Sequence, residues 1–262
     1  MRSSQLVPAM LLVSGFMSGV ASADLSGVPF SAETRQSSPQ GTSSGKMYVG
    51  KNRMRIEMDQ GGQQVVQIID NDKQAQLILY PSQHSYMEFQ GPGPGSSASP
   101  QTPASGGKLD PCAGLQGARC NKLGVESING RTADKWQMSV TQQGKTMQMT
   151  SWIDADRGIP LRTETSEGQR MDLRMLGIEN VGGRQVEKWE MSSSAPNQPA
   201  QRSTQWYDPV LKLAIREEFP GGFVRELINI REGEPPSSLF SIPAGYQKVT
   251  PPASGQQPPV GR

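Results

Sequence analysis

The chain writes one phrase twice: LGVESINGRTADKWQM from Leu123 to Met138, and LGIENVGGRQVEKWEM from Leu176 to Met191, 53 residues further on. Asn129-Gly130 in the first copy and Gly182-Gly183 in the second stand between runs that alternate apolar and polar residues. Both central positions of a type I′ turn need positive φ, which Asn and Gly adopt at small steric cost. Each phrase is therefore predicted to be a β-hairpin, with Trp136 and Met138, or Trp189 and Met191, on one face of the returning strand. The correspondence continues: SWIDADRGIPLR from Ser151 aligns with QWYDPVLKLAIR from Gln205, matching Trp152 to Trp206 and Asp154 to Asp208. All four tryptophans of the chain thus stand at equivalent positions. A fainter copy comes earlier, in YVGKNRMRIEM from Tyr48 and IIDNDKQAQLIL from Ile68. Three units of about four strands predict roughly a dozen antiparallel strands.

The period elsewhere is two. Met54, Ile56 and Met58 alternate with Arg53, Arg55 and Glu57; Met147, Met149, Ser151 and Ile153 alternate with Gln148, Thr150 and Trp152; Met171, Leu173 and Met175 continue the pattern. No amphipathic stretch of three helical turns occurs, so helices should be short and few. The fold class expected is mainly β, a large antiparallel sheet built from hairpin units. A meander of that size must curl, because strand twist accumulates. Period and turns leave open whether it closes into a barrel.

Composition divides the chain. Residues 1–23 carry Arg2, an apolar stretch from Leu6 to Val20 and the small triplet Ala21, Ser22, Ala23, the pattern of a secretory signal peptide cleaved after Ala23. Pro8, Ser14, Gly15, Ser18 and Gly19 interrupt the stretch, whereas a membrane span needs about 20 strongly apolar residues. The mature protein is expected to be periplasmic or secreted, without integral membrane insertion. Residues 24–90 read as an N-terminal β unit, 91–110 as a Gly-, Pro- and Ser-rich linker or loop, 111–250 as tandem β units completing the sheet, and 251–262 as a disordered tail. The polar tract Ser192 to Ser203 reads as an extended hairpin loop. In an exported chain the two cysteines, Cys112 and Cys120, are most simply a disulfide. Removing Arg2 from the 26 basic residues leaves 25 against 24 acidic ones, a balance that argues against nucleic acid as a partner.

Sites for catalysis are scarce. His84 is the single histidine, and SQHSYMEF places it in a turn with no recognisable nucleophile motif. No phosphate loop or dinucleotide fingerprint occurs, so no catalytic residue, cofactor or metal is expected. Asp70 with Asp72, and Asp154 with Asp156, lack calcium-loop spacing and read as turn-forming carboxylates. Glu126 with Glu179, Arg131 with Arg184, and Lys135 with Lys188 recur between the copies and read as cross-strand charge pairs on a solvated face. Ten methionines follow residue 23, all in predicted strands. A surface of flexible, polarizable thioethers adapts to apolar partners of varied shape, although the same stripe also serves as core filler. Met54, Met58, Met87, Trp136, Met138, Met147, Met149, Met171, Met175, Trp189 and Met191 are the candidate apolar groove.

GKMYVGKNRMRIEM, YPSQHSYMEF, DPCAGLQGARCNKLGVESINGRTADKW and SSLFSIPAGYQKV resemble an uncharacterised family of bacterial envelope proteins, whose layout is similar to the lipoprotein-carrier fold of LolA, LolB and the N-terminal domain of RseB. The resemblance runs from about Lys46 to Val249. It implies a curved, half-barrel antiparallel sheet whose inner face accepts a lipid or a lipidated protein. It also implies short lid helices, which the sequence does not announce. Two functions follow as expectations: a non-enzymatic periplasmic binding module for an apolar or lipid-like ligand, or an envelope stress-sensing or scaffold protein whose partner is another protein.

Overall fold

A computed structural model describes residues 27–90, 118–142 and 145–250. The expected signal peptide, linker and tail lie outside these residues, as does Cys112; its expected partner Cys120 lies on the edge strand. Sixteen strands form one sheet: β1 (Phe30–Ser38), β2 (Gly41–Gly50), β3 (Arg53–Gln60), β4 (Gln63–Asp70), β5 (Ala75–Tyr80), β6 (Ser85–Gln90), β7 (Ala118–Ile128), β8 (Arg131–Gln142), β9 (Lys145–Asp154), β10 (Pro160–Thr165), β11 (Arg170–Val181), β12 (Arg184–Ser194), β13 (Gln201–Asp208), β14 (Leu213–Phe219), β15 (Phe223–Glu232) and β16 (Gln247–Lys248). Sixteen exceeds the expected dozen, because β1, β15, β6 and the short β16 fall outside the recognisable copies. The helices among the described residues are two short 3₁₀ turns, Pro81–Gln83 and Ser237–Phe240.

Both predicted hairpins form, β7 with β8 and β11 with β12. Their turns carry the positive φ they require: 51° and 79° at Asn129 and Gly130, 60° and 84° at Gly182 and Gly183. The tract from Ser192 to Ser203 is shorter as a loop than expected, since β12 runs to Ser194 and β13 starts at Gln201. Its Ser and Gln residues alternate like any other strand residues and pair in register, Ser193 opposite Gln201.

The sheet order is β16-β6-β5-β4-β3-β2-β1-β15-β14-β13-β12-β11-β10-β9-β8-β7. It is a meander in two arms, joined where the first strand pairs antiparallel with β15. The sheet is large, curved and open, with β7 at one edge and β16 at the other. Register shifts insert an extra residue at equivalent places in the two copies: Leu123 and Leu176 in the first strand of each hairpin, Leu161 and Ile215 three strands on. Such bulges increase local twist and so bend the sheet.

Burial is graded along the strands. Phe30, Ala32, Val49, Met54, Trp189, Trp206, Tyr207, Asp154 and Asp208 are buried at one end of the sheet, whereas the opposite ends of β2, β4, β9, β12 and β13 are exposed. The apolar core therefore lies at one end, under the turns that follow Asp154 and Asp208. The C-terminal segment covers β3 to β6 from one side: Phe240 joins Val66, Ile68 and Leu79 in a cluster with Tyr48, Leu77, Tyr86, Leu239 and Tyr246.

Candidate functional site

Side chains directly opposite on neighbouring strands share a face, and the face alternates along each strand. The register can therefore be followed across the whole sheet. Met87 opposes Ile78, Ile78 opposes Gln67, Gln67 opposes Ile56, Ile56 opposes Met47, and Met47 opposes Ala32. Gln36, on the same side as Ala32, opposes Arg225; Arg225 opposes Glu217, Glu217 opposes Gln205, Gln205 opposes Trp189, and Trp189 opposes Met175. Met171 opposes Thr163, Thr163 opposes Ser151, Ser151 opposes Trp136, and two residues on Met138 opposes Met149. All eleven residues of the predicted groove, with Met47 as a twelfth, lie on this one face.

They are not one continuous patch. Met54, Met58 and Met87 sit on β3 and β6, and the other eight sit on β8, β9, β11 and β12. Between the two groups the same face carries Thr34, Gln36 and the ion pair Arg225–Glu217 at 2.6 Å. Nor are they equally accessible: Trp189, Met54 and Met138 are buried core, whereas Met147 is 43% exposed at the open end of β9. Buried and solvent-exposed methionines thus occur on one face, divided by depth.

The opposite face carries two rows of cations and indoles. Lys135, Trp152 and Arg162 stand in a row across β8, β9 and β10, and Lys188, Trp206 and Arg216 form the equivalent row across β12, β13 and β14. Each indole is flanked by two cations. Lys135 lies 4.9 Å and Arg162 5.7 Å from the Trp152 ring; Lys188 lies 4.9 Å and Arg216 5.4 Å from that of Trp206. Trp152 Nε1 donates to Glu126 at 2.7 Å, and Glu126 accepts from Lys135 Nζ at 2.8 Å. Trp206 Nε1 donates to Glu179 at 2.7 Å, which accepts from Lys188 at 3.0 Å. The Lys135 and then the Trp152 bonds hold Glu126 below the usual carboxylate range, and those of Trp206 and then Lys188 do the same to Glu179. The recurrent Glu and Lys are the charge pairs read from the sequence. The cation–indole sandwich was hidden there, because its third member comes from a strand beyond the duplicated phrase.

The aspartates make turns. Asp154 Oδ1 accepts from the backbone N–H groups of Asp156 and Arg157 at 2.9 and 3.0 Å, and its other oxygen accepts from Arg131 Nε. Asp208 repeats this with Val210, Leu211 and Arg184, and Asp70 accepts from the N–H of Lys73 at 3.0 Å. Burial opposes ionisation of Asp154, but Arg131 and the two N–H donors outweigh it and hold the carboxyl below its ordinary value. From the turn after Asp154, Arg157 reaches the next hairpin and grips Glu187 with two bonds of 2.6 and 2.5 Å, while Trp189 Nε1 donates to the same carboxylate at 3.0 Å.

His84 caps a 3₁₀ turn with φ 47°, its ring edge-on to Tyr246 at 5.7 Å, as expected of a turn residue. Among the described residues no group of three or more His, Cys, Asp or Glu side chains is placed to hold a metal ion, and no helix is long and apolar enough to cross a membrane.

The fold defines an open, bent, almost wholly antiparallel β-sheet protein with the described methionines on one face and two cation–indole rows on the other. No family model matches the chain, and no curated protein matches it in sequence. Solved structures similar to it include an uncharacterised conserved protein from Thermus thermophilus, with 11% identity over 87% of this chain and 93% of that one at a TM-score of 0.32. A LolA superfamily protein from Nitrosomonas europaea shares 11% identity over 82% and 91% at 0.33, and the MucA/MucB complex of Pseudomonas aeruginosa shares 12% over 79% and 94% at 0.22. The LolA-type likeness expected from the sequence is present among these structures, at identities and scores too low to carry a function across.

Proposed function

We propose that the protein is a non-enzymatic, exported binding module whose methionine face takes an apolar or lipid-like ligand. The observation that supports this is the alignment of Met58, Met87, Met147, Met149, Met171, Met175 and Met191, all half-buried or exposed, on a single face of a sixteen-stranded sheet. Thioether side chains on three rotatable bonds accommodate chains of differing shape, and each buried methylene of a ligand contributes about 0.8 kcal/mol. The cation–indole rows lie on the opposite face. The test is native mass spectrometry with lipid extraction of protein purified from the periplasm. Copurifying hydrophobic molecules, displaced in a Met149→Glu variant, are the expected result; their absence from repeated preparations refutes the reading.

A second reading has its own support. Leu123 and Val125 on the edge strand β7, and Leu176 and Ile178 on β11, are large apolar residues left 54%, 60%, 43% and 65% exposed. β10 pairs with β11 only at Arg170, Met171 and Asp172, so the later part of β11 has no partner on that side among the described strands. Exposed strand edges with apolar side chains suit addition of a strand from another protein. If an envelope protein docks there, Val125→Lys and Ile178→Lys abolish its capture by crosslinking and leave lipid recovery unchanged.

A further inference from the structure

Within the methionine face one place differs from the rest. Met138 and Met149 are directly opposite on β8 and β9, and no other two methionines of the described residues are paired in this way. Met171 opposes Ser193 and Thr163, Met175 opposes Trp189, Met191 opposes Leu173 and Ser203, and Met58 opposes Gly45 and Val65. Met147 is two residues from Met149 on the same strand and the same face. Opposed Cβ atoms are about 5 Å apart and residues two apart on a strand about 7 Å, so three thioether arms can bring their sulfurs to one point. Depth is graded across the trio: Met138 is buried, Met149 half-buried and Met147 open to solvent. Core filling accounts for Met138 and does not account for Met147, whose flexible apolar chain stands at the open end of the sheet.

We propose that Met138, Met147 and Met149 form a binding site for a soft monovalent cation, Cu(I) or its chemical analogue Ag(I). Neutral thioether sulfur selects soft d¹⁰ ions, whereas Zn²⁺ and Cu²⁺ prefer imidazole, thiolate or carboxylate. The cross-strand partners that complete the surround are Cys120, opposite Met138, Val140, opposite Met147, and Thr165, opposite Met149; Cys120 is held in a disulfide, and none of the three is a hard anionic ligand. Three neutral sulfurs leave the charge of the complex at that of the ion, so an open site that remains in contact with water suits it better than a closed one. The ion enters past Met147 and is held by the Met138–Met149 pair beneath. Binding forms three sulfur–metal bonds and changes no oxidation state. The site stands independently of whether the same face also carries an apolar ligand.

The test uses the full chain labelled with ¹³C-methyl methionine, kept oxidised and alkylated so that no free thiol competes, and titrated with Ag(I). Three methyl resonances, assigned to Met138, Met147 and Met149 by Met→Leu substitution, are expected to shift together and to saturate at one equivalent. Met→Leu conserves volume and leaves the fold intact. Loss of Met138 or Met149 should weaken Ag(I) at least by the ten- to hundredfold, roughly, that losing even an outer-shell partner costs; Met171→Leu should not weaken it. Far-ultraviolet circular dichroism identifies any variant that fails to fold, and for such a variant the wild-type methyl shifts alone decide. Shifts spread over all ten methionines that follow residue 23, shifts confined to other methionines, or no shift at one equivalent would each overturn the proposal.

Discussion

Asp154 shows how much one side chain can hold at the residue scale. It is almost wholly buried, accepts two backbone N–H groups of the turn it starts, and pairs with Arg131 from the adjoining hairpin. Asp154→Ala strands those donors and a partly exposed guanidinium, and should cost about 2–4 kcal/mol in urea unfolding. The ionised form is what these partners bind. Asp154 and Glu187 both titrate below their ordinary values, Glu187 because Arg157 and Trp189 outweigh its burial. A carboxyl depressed on folding contributes its full stability above the unfolded pKa, near 4, and loses it as pH falls through the folded value. Stability should therefore be level above about pH 5 and decline steadily below about pH 4. Glu187→Gln should make that decline shallower; an unchanged slope would mean that the pair does not titrate as described.

Among the elements, the C-terminal segment explains how the fainter copy survives without tryptophan. Arg55, Ile68 and Leu77 occupy the row that Lys135, Trp152 and Arg162 occupy in the first full copy. Ile68 leaves room where the indole would lie, and Phe240 fills it, with Arg53 4.9 Å from its ring and Arg55 donating to the Leu239 carbonyl at 2.8 Å. The segment then pairs parallel to β6, Gln247 N donating to the His84 carbonyl and Val249 N to that of Tyr86, both at 2.8 Å. Phe240→Ala should cost about 3–5 kcal/mol and expose β4 to β6 to protease, with the strands from β8 to β13 protected longer. Gly45 shows the same closeness in a strand, since a Cβ there would run into the Glu57 carbonyl oxygen. Gly45→Val should push β2 from β3 and lower the melting temperature, a change read by calorimetry.

For the whole molecule, the decisive contact joins β1 to β15, pairing Phe30 with Glu232 and Thr34 with Leu227. Almost the entire chain must be gathered before that ladder closes, and long loop closure slows folding. Refolding from urea should be slow, on the order of milliseconds to seconds, with Phe30→Ala slowing it further if this closure limits the rate. A wild-type rate in the microsecond range, or one untouched by Phe30→Ala, would show that the two arms fold without waiting for their junction. The same topology places β7 at the edge of the sheet among the described residues.

Hairpins, aspartate turns, the scarcity of helix and the alternation of methionine with polar residues are legible in the sequence, because each depends on φ at a turn or on neighbours within a few residues. Asn129-Gly130 specifies its turn without reference to anything distant. The strand count, the β1–β15 junction and the role of Phe240 are not legible, since they depend on pairing between residues far apart in the chain. The methionine face lies between these cases. Alternation places Met147 with Met149, and Met171 with Met175, but only the register across every strand puts the groups on one side. Five register shifts each change which residues stand opposite one another. The sequence thus determined the pleat of each strand, a local property of backbone geometry, and tertiary packing decided how the pleats align, because register minimises buried polar groups over the whole sheet at once.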